Sequence, residues 1–273
     1  NYRGHADLRV EFPAQFNVIV GVNGSGKTSL LKAACEALSG VVQPMQLSHG
    51  RYQALHDANA IRLHTTVIAG RYRFESQFPV RVGAVGSAFG TDCVWSVSKK
   101  DALSHCEFAG KMPGQIWGLN SGSSVFRDGK EFDLPMIAFY QANRHWIQAQ
   151  PQEIQAATTR NARSDGYASW WNASLDASAL QAWVIGKCLE RFQQSSETGI
   201  GFDAIDDDEL ALVNGALRTA VEGAKGLKYD LKQKSLLVEW TDAEPTAFEH
   251  LSDGQRAVIG LVADIGRRMC LLN

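Results

Sequence analysis

No two of the five cysteines (Cys35, Cys93, Cys106, Cys188, Cys270) form a CxxC pair, and their number is odd. That spacing speaks against a disulfide framework and against a cysteine zinc site, and it reads as reduced packing residues of a cytoplasmic protein. The seven histidines form no HxH or HxxxH pair, so none is assigned to a metal. No apolar run approaches the ~20 residues that span a bilayer. No charged-then-apolar leader opens the chain, so a soluble protein without a membrane partner is expected. Charge of one sign is not in excess either. With 27 Lys and Arg against 29 Asp and Glu, the formal net charge is -2, which rules out a global basic field for nucleic acid and leaves only local patches.

What is present is an ordinary globular composition, 45% hydrophobic and 21% charged over 273 residues, enough for one large core or two modest ones. The opening at Asn1 and the close on LLN behind an apolar helix read as limits within a longer protein.

The run FNVIVGVNGSGKTSLLKAACEAL predicts a buried strand over Phe16 to Val20, a Gly-rich turn, and an amphipathic helix carrying Leu30, Leu31, Ala34 and Leu38. This is the setting that GxxxxGK[ST] requires. Gly21, Gly24 and Gly26 let the backbone turn so that N–H groups from Asn23 to Ser29 converge on a β-phosphate at the positive end of the helix dipole. Lys27 is expected to reach the β- and γ-phosphates, and Thr28 to give its hydroxyl to Mg²⁺. The implied ligands are ATP and Mg²⁺.

A cradle of this kind needs groups on the far side of the γ-phosphate. The stretch FEHLSDGQRAVIGLVADIGRRMCLL offers one, because Leu251, Ser252, Asp253, Gly254 and Gln255 open a long apolar helix with Ser252 as N-cap. A plain capping motif accounts for those residues on its own. A second candidate is LPMIAFYQANRHW, in which Pro135 to Tyr140 predicts a buried strand ending at Gln141, with Arg144 one turn later. The acidic run IDDDEL (residues 205–210) could hold a metal, but it precedes a helical pattern and reads as an acidic first turn.

Between these motifs, residues 44–135 read as short strands with turns (IRLHTTVIAGRYRFESQF, TDCVWSVSK, SSVFRDGKEFDL) and residues 145–225 as helices without a sustained heptad repeat. Trp170, Trp171 and Trp183 read as core or interface anchors. LKYDLKQKSLLVEW reads as a hairpin leading back to the last helix. Arg160, Arg163, Lys187 and Arg191 could line a weak nucleic-acid track, although acidic neighbours favour a solvated face.

NYRGH and GVNGSGKTS resemble the structural-maintenance, RecF and double-strand-break-repair ATPases, and LSDGQ resembles the ABC signature LSGGQ. The ordered set NYRGH, GVNGSGKTS, IAFYQANR, SDGYASWW and LSDGQRAVIGLVADIGRR resembles compact, coil-less AAA/ABC-hybrid ATPases, whose kin include the Septu-type and retron-associated antiphage defence ATPases.

The resemblance implies an α/β P-loop NTPase fold, an ABC-ATPase head with an antiparallel β lobe and an inserted helical lobe. Residues 1–43, 136–144 and 226–273 would form a discontinuous nucleotide-binding core, with 44–135 as the β-rich lobe and 145–225 as the helical lobe. It makes Arg3 a candidate phosphate or base neighbour, beside the plainer reading of a surface arginine. It makes Gln141 a Q-loop ligand of Mg²⁺ and the attacking water, beside that of a polar loop residue. Residues 251–255 become a signature that caps ATP on a second copy of the chain. In that signature Asp253 departs from the family's glycine, so its side chain is expected to turn outward or to bond Arg256. A Walker B Asp-Glu pair is expected beyond Asn273. The implied partners are a second head, an HNH nuclease, and a retron reverse transcriptase or nucleic acid. A RecF-like clamp that binds DNA directly and an ATP-locked scaffold are the alternatives.

Overall fold

The computed structural model describes residues 1–43, 52–88, 90–116, 133–141, 156 and 161–273, with the backbone alone for 174–177. Most of SSVFRDGKEFDL, together with Arg144 and Arg160, lies outside the described residues. The chain divides into two compact units, Asn1–Lys130 and Glu131–Asn273. The phosphate-loop motif belongs to the first, and Gln141 and the LSDGQ helix to the second. The sheets described are all antiparallel, so the fold is mixed α and β. Among the described residues, no helix is long and apolar enough to cross a membrane.

The first unit is built on α1 (Lys27–Val42), a hairpin of β1 (Leu63–Ile68) and β2 (Arg71–Ser76), and a three-stranded sheet. That sheet is β3 (Val80–Ala88), β4 (Thr91–Lys99) and β5 (Glu107–Lys111), with α2 (Pro113–Ile116) following. The hairpin turns on Ala69 and Gly70, both at positive φ, as the tightest two-residue connection demands. Val80, Val82 and Val97 on the inner face of the sheet share a core with Tyr2 and Leu55. Trp95 binds α1 to β4, its indole N–H donating to the Ala37 carbonyl at 2.8 Å. Strands β1 to β5 all fall within residues 44–135.

The strand expected over Phe16 to Val20 is not found. Those residues are extended but pair with no strand among the described residues, and Phe16, Val18 and Val20 are 87%, 68% and 86% exposed. Alternating β-branched residues report a preference for a half-buried ladder, and a strand exists only where a neighbour supplies that ladder.

In the second unit, α3 (Ala177–Thr198) and α4 (Glu209–Ala220) pack on a sheet of β6 (Ala224–Asp230), β7 (Ser235–Trp240) and β8 (Thr246–Ala247), and α5 (Asp253–Leu272) packs against α4 and the Arg163–Tyr167 turn. Leu180, Val184, Leu210, Val238 and Ile259 are among its core residues. The β6–β7 hairpin is the one predicted from LKYDLKQKSLLVEW. Trp170 and Trp183 are buried and Trp171 is half-buried, in keeping with their reading as anchors.

Residues 133–141 are extended too, yet they join no sheet among the described residues and are mostly half-buried, which corrects the buried strand expected there. Individual bonds hold them in place of a ladder. The Leu134 N–H donates to Asn273 Oδ1 at 2.6 Å, the Tyr167 hydroxyl to the Pro135 carbonyl at 2.7 Å, and the Phe139 N–H to the Trp170 carbonyl at 2.6 Å.

Three of the four basic residues weighed as a nucleic-acid track, those among the described residues, are used internally. Lys187 pairs with Glu190 and Glu209, Arg191 with Asp208, and Arg163 Nε donates to the Leu272 carbonyl. The acidic run performs the helix-start role expected of it, since Asp208 is the N-cap of α4 and accepts from the Ala211 N–H at 2.7 Å. All five cysteines are free thiols. Burial pushes Cys35 up to about 12 and Cys188 up to about 11, and it also raises Cys106 and Cys270.

Burial alone works to raise the Asp208 carboxyl, but hydrogen bonds from Arg191 and the Ala211 N–H outweigh it and hold the group below its usual 3.8. A carboxylate depressed in the folded state stabilises above its unfolded pKa and loses that contribution as pH falls through the folded value. Urea midpoints followed by circular dichroism should therefore fall on acidification below about pH 4, and Asp208→Asn should flatten that limb. At neutral pH the variant should lose about 2–3 kcal/mol, less than a fully buried pair would, because the Asp208 side chain is 21% exposed while that of Arg191 is 6% exposed.

Candidate functional site

The glycines of GVNGSGKTS fold the chain into a loop that opens α1. Gly24 and Gly26 have φ of 84° and 92°, a left-handed region closed to most side chains, and Gly26 is the N-cap of α1. At Gly21 it is space that matters, because a Cβ there would lie 2.6 Å from Ser25 Oγ. No side chain caps the start of α1, and no acidic residue occupies its first turn. Its leading N–H groups thus keep their positive field without a competing carboxylate. Lys27 Nζ donates to the carbonyls of Gly21 at 2.7 Å and Val22 at 2.8 Å, which leaves one of its three donors for another acceptor. Asn23, Ser25 and Thr28 are exposed around the turn, and Ser29 is half-buried.

A tight turn at the chain's start lies against this loop. Tyr2 and His5 exchange two backbone hydrogen bonds of 2.9 Å, with Arg3 at φ 51° between them. The Arg3 guanidinium meets Asp57 at 3.2 Å and stands 5.9 Å from the Tyr2 ring. Burial works to raise Asp57, but hydrogen bonds from Asn59 and the charge of Arg3 hold it below the usual carboxylate range.

The side chain that touches the phosphate loop is instead His5, which the reading of NYRGH passed over. Its Nε2 lies 3.0 Å from where a Cβ on Gly26 would sit, and that nitrogen is buried without a hydrogen-bond partner among the described residues. Its presence in the quoted motif was the available signal. Further along α1, buried Glu36 accepts from the Leu55 N–H at 3.0 Å. Burial raises its carboxyl, and the bonds from Leu55 and Tyr52 only partly offset that.

In the second unit, Ser252 is the N-cap of α5 and forms a capping box with Gln255, as its position in LSDGQ suggests. The Gln255 N–H donates to Ser252 Oγ at 3.3 Å, and Gln255 Oε1 accepts from the Ser252 N–H at 3.2 Å. Leu251 is buried and anchors the turn, while Ser252, Asp253, Gly254 and Gln255 face outward. The Asp253 carboxylate points into solvent, the outward turn expected of it, with the Arg256 guanidinium 3.8 Å away. Arg256 also closes the turn from beneath, donating to the carbonyls of Leu251 at 2.9 Å and Glu249 at 3.2 Å. Gln141 is half-buried at the end of the 133–141 segment. Among the described residues, no cluster of three or more His, Cys, Asp or Glu is arranged to hold a metal ion.

A family model described as an AAA domain matches residues 1–152, more than half of the 273-residue chain. The chain belongs to this AAA-domain family. As an AAA domain it is a P-loop NTPase of the ATPase type, the class to which its Gly-rich loop already pointed. The matched residues take in NYRGH, the phosphate loop and Gln141, and they stop before Leu251–Gln255.

The left-handed backbone at Gly26 and the His5 ring over it predict one outcome for the AAA domain. Gly26→Ala should cost about 1–2 kcal/mol of backbone strain and push the imidazole away, read as a lower urea midpoint together with shifted His5 ring resonances.

Proposed function

We propose that this AAA-domain chain is an ABC-type ATPase head that closes on a second copy around ATP and, in the closed state, restrains a partner nuclease. The observation that carries the reading is the uncapped, acid-free start of α1, reached through a Gly-rich loop with two left-handed glycines. Such a start is an anion site by construction. In this reading Asn23, Gly24, Ser25, Gly26, Thr28 and Ser29 cradle the phosphates while Lys27 neutralises the β- and γ-oxygens. Arg3, held by Asp57, is a neighbour of that site and not its floor.

The donors fit Mg²⁺ in kind, since the Thr28 hydroxyl and the Gln141 amide are neutral oxygen ligands of the sort a hard cation takes. When bound, Mg²⁺ neutralises phosphate charge and polarises the bond to be broken. Gln141 orients the attacking water. Ser252 and the outward start of α5 meet the γ-phosphate held by the other copy. Asp253 can take this place because its carboxylate points outward and stays near Arg256.

The nuclease partner, of HNH type, and the antiphage role rest on the resemblance to Septu- and retron-associated ATPases. The DNA-clamp alternative has little to hold DNA with among its candidate cations, because Lys187 and Arg191 are engaged in ion pairs.

Equilibrium binding of a fluorescent ATP analogue, with turnover measured against protein concentration, tests the proposal. Lys27→Ala should weaken binding at least ~100-fold by removing the cation that faces the phosphates. Ser252→Arg should leave binding unchanged yet abolish the rise of turnover per head with concentration. Equal turnover in the Ser252 variant would refute the two-copy site, and tight binding by the Lys27 variant would refute the phosphate loop. Strong, salt-sensitive DNA binding by the ATPase alone would favour the clamp.

A further inference from the structure

Well away from its exposed start, α5 carries a charge cluster in the interior of the second unit. Asp264 and Arg268 are fully buried, and Arg267 nearly so. Asp264 Oδ1 accepts from Arg267 Nε at 3.2 Å and Nη2 at 2.9 Å, and Oδ2 accepts from Arg268 Nε at 2.8 Å. The remaining bond to Oδ2 comes from outside the helix, where the Tyr140 hydroxyl donates at 2.7 Å. Arg268 reaches the other way, donating through Nη1 to the carbonyls of Gly166 at 3.0 Å and Ala168 at 2.8 Å. Trp170, two residues on, receives the Phe139 N–H. One carboxylate thus sits where α5, the 163–170 turn and the 133–141 segment meet.

Two facts separate this from an ordinary buried ion pair. The segment that carries Tyr140 has no strand ladder among the described residues, so its position is set by a few discrete bonds. Of these, the Tyr140–Asp264 bond is adjacent to Gln141 and is made to the body of α5, twelve residues or ~18 Å along the helix from Ser252. Charged hydrogen bonds in a buried site are short, directional and costly to leave half-made, so the segment and the helix are held in register.

We propose that Asp264 is a positioning residue that couples the signature helix to Gln141, so that engagement of Ser252 by a phosphate sets the placement of the glutamine amide. The proposal rests on the reading of Ser252 and Gln141 given above. Through this link, a head whose α5 is not engaged by a second copy holds Gln141 out of its working position. ATP binding is unaffected, because among the described residues the bonds of the network are all made within the second unit.

Asp264→Ala is the obvious variant, but it would strand two buried guanidinium groups and risks failing to fold. Tyr140→Phe removes only the linking hydroxyl and leaves both arginines on the carboxylate. The full chain carrying Tyr140→Phe should bind the ATP analogue as wild type does, with turnover per head at least ~10-fold lower. Hydrogen exchange should show the coupling without reference to catalysis. In wild type, ATP with Mg²⁺ should protect both the first turn of α5 and the amides of residues 138–141, whereas in Tyr140→Phe protection should be confined to the first turn of α5.

Wild-type turnover and joint protection in Tyr140→Phe would overturn the coupling, as would a lowered melting temperature with turnover per folded molecule unchanged. Lys27→Ala and Ser252→Arg run beside it separate the two levels. If both behave as stated above and Tyr140→Phe is silent, the coupling alone falls. If either does not, the two-copy reading falls and takes the coupling with it.

Discussion

The start of α1 depends on two residues whose backbone turns left. With φ of 84° at Gly24 and 92° at Gly26, the chain reverses tightly enough to aim successive N–H groups inward, and it leaves room above Gly26 for the His5 ring. Residues with a side chain at these positions would lose both features together. The rest of the first unit follows from where α1 then runs. Trp95 ties it to the β3–β5 sheet, Glu36 ties it to the backbone at Leu55, and the Tyr2–His5 turn folds over its first turn. The site and the core of this unit are thus two ends of one helix.

The second unit repeats that arrangement with different chemistry. Its longest-range organiser is α5, which shows Ser252 to solvent at one end and buries Asp264, Arg267 and Arg268 further along. The helix packs chiefly against α4 and the 163–167 turn, with Ile259 and Ala263 in the apolar core. Buried charges are poor sources of net stability but strong sources of uniqueness where every partner is met. Here they fix a segment that has no strand ladder among the described residues at a defined place on the helix.

Local chemistry was legible in the sequence, and long-range pairing was not. The phosphate loop, the Ser252 cap, the Asp208 cap and the hairpins over 63–76 and 224–240 each announce themselves within a few residues, through glycine, capping side chains or strict alternation. Phe16–Val20 and Pro135–Tyr140 were misread for one reason, since apolar alternation states what a side chain prefers and says nothing of who stands beside it. Within each unit, the pairs beside the candidate residues are distant in the chain, 54 residues for Arg3–Asp57 and 124 for Tyr140–Asp264. His5 and Tyr140 lay inside quoted motifs but next to the more familiar residues Arg3 and Gln141. The role proposed for Ser252 was read from a five-residue resemblance that lies outside the matched AAA domain.

The free thiols have a practical consequence. Cys35, Cys93 and Cys188 are buried, Cys106 and Cys270 are partly so, and burial raises Cys35, Cys106, Cys188 and Cys270 above the ordinary thiol range. Little thiolate is available near neutrality, and thiolate is the form that electrophiles attack. A single cysteine introduced on the outward rim, at Ser25 or at Gly254, would outcompete the native five for a maleimide dye. Spectroscopic reporters can therefore be placed on either motif without first stripping the chain of its own sulfur.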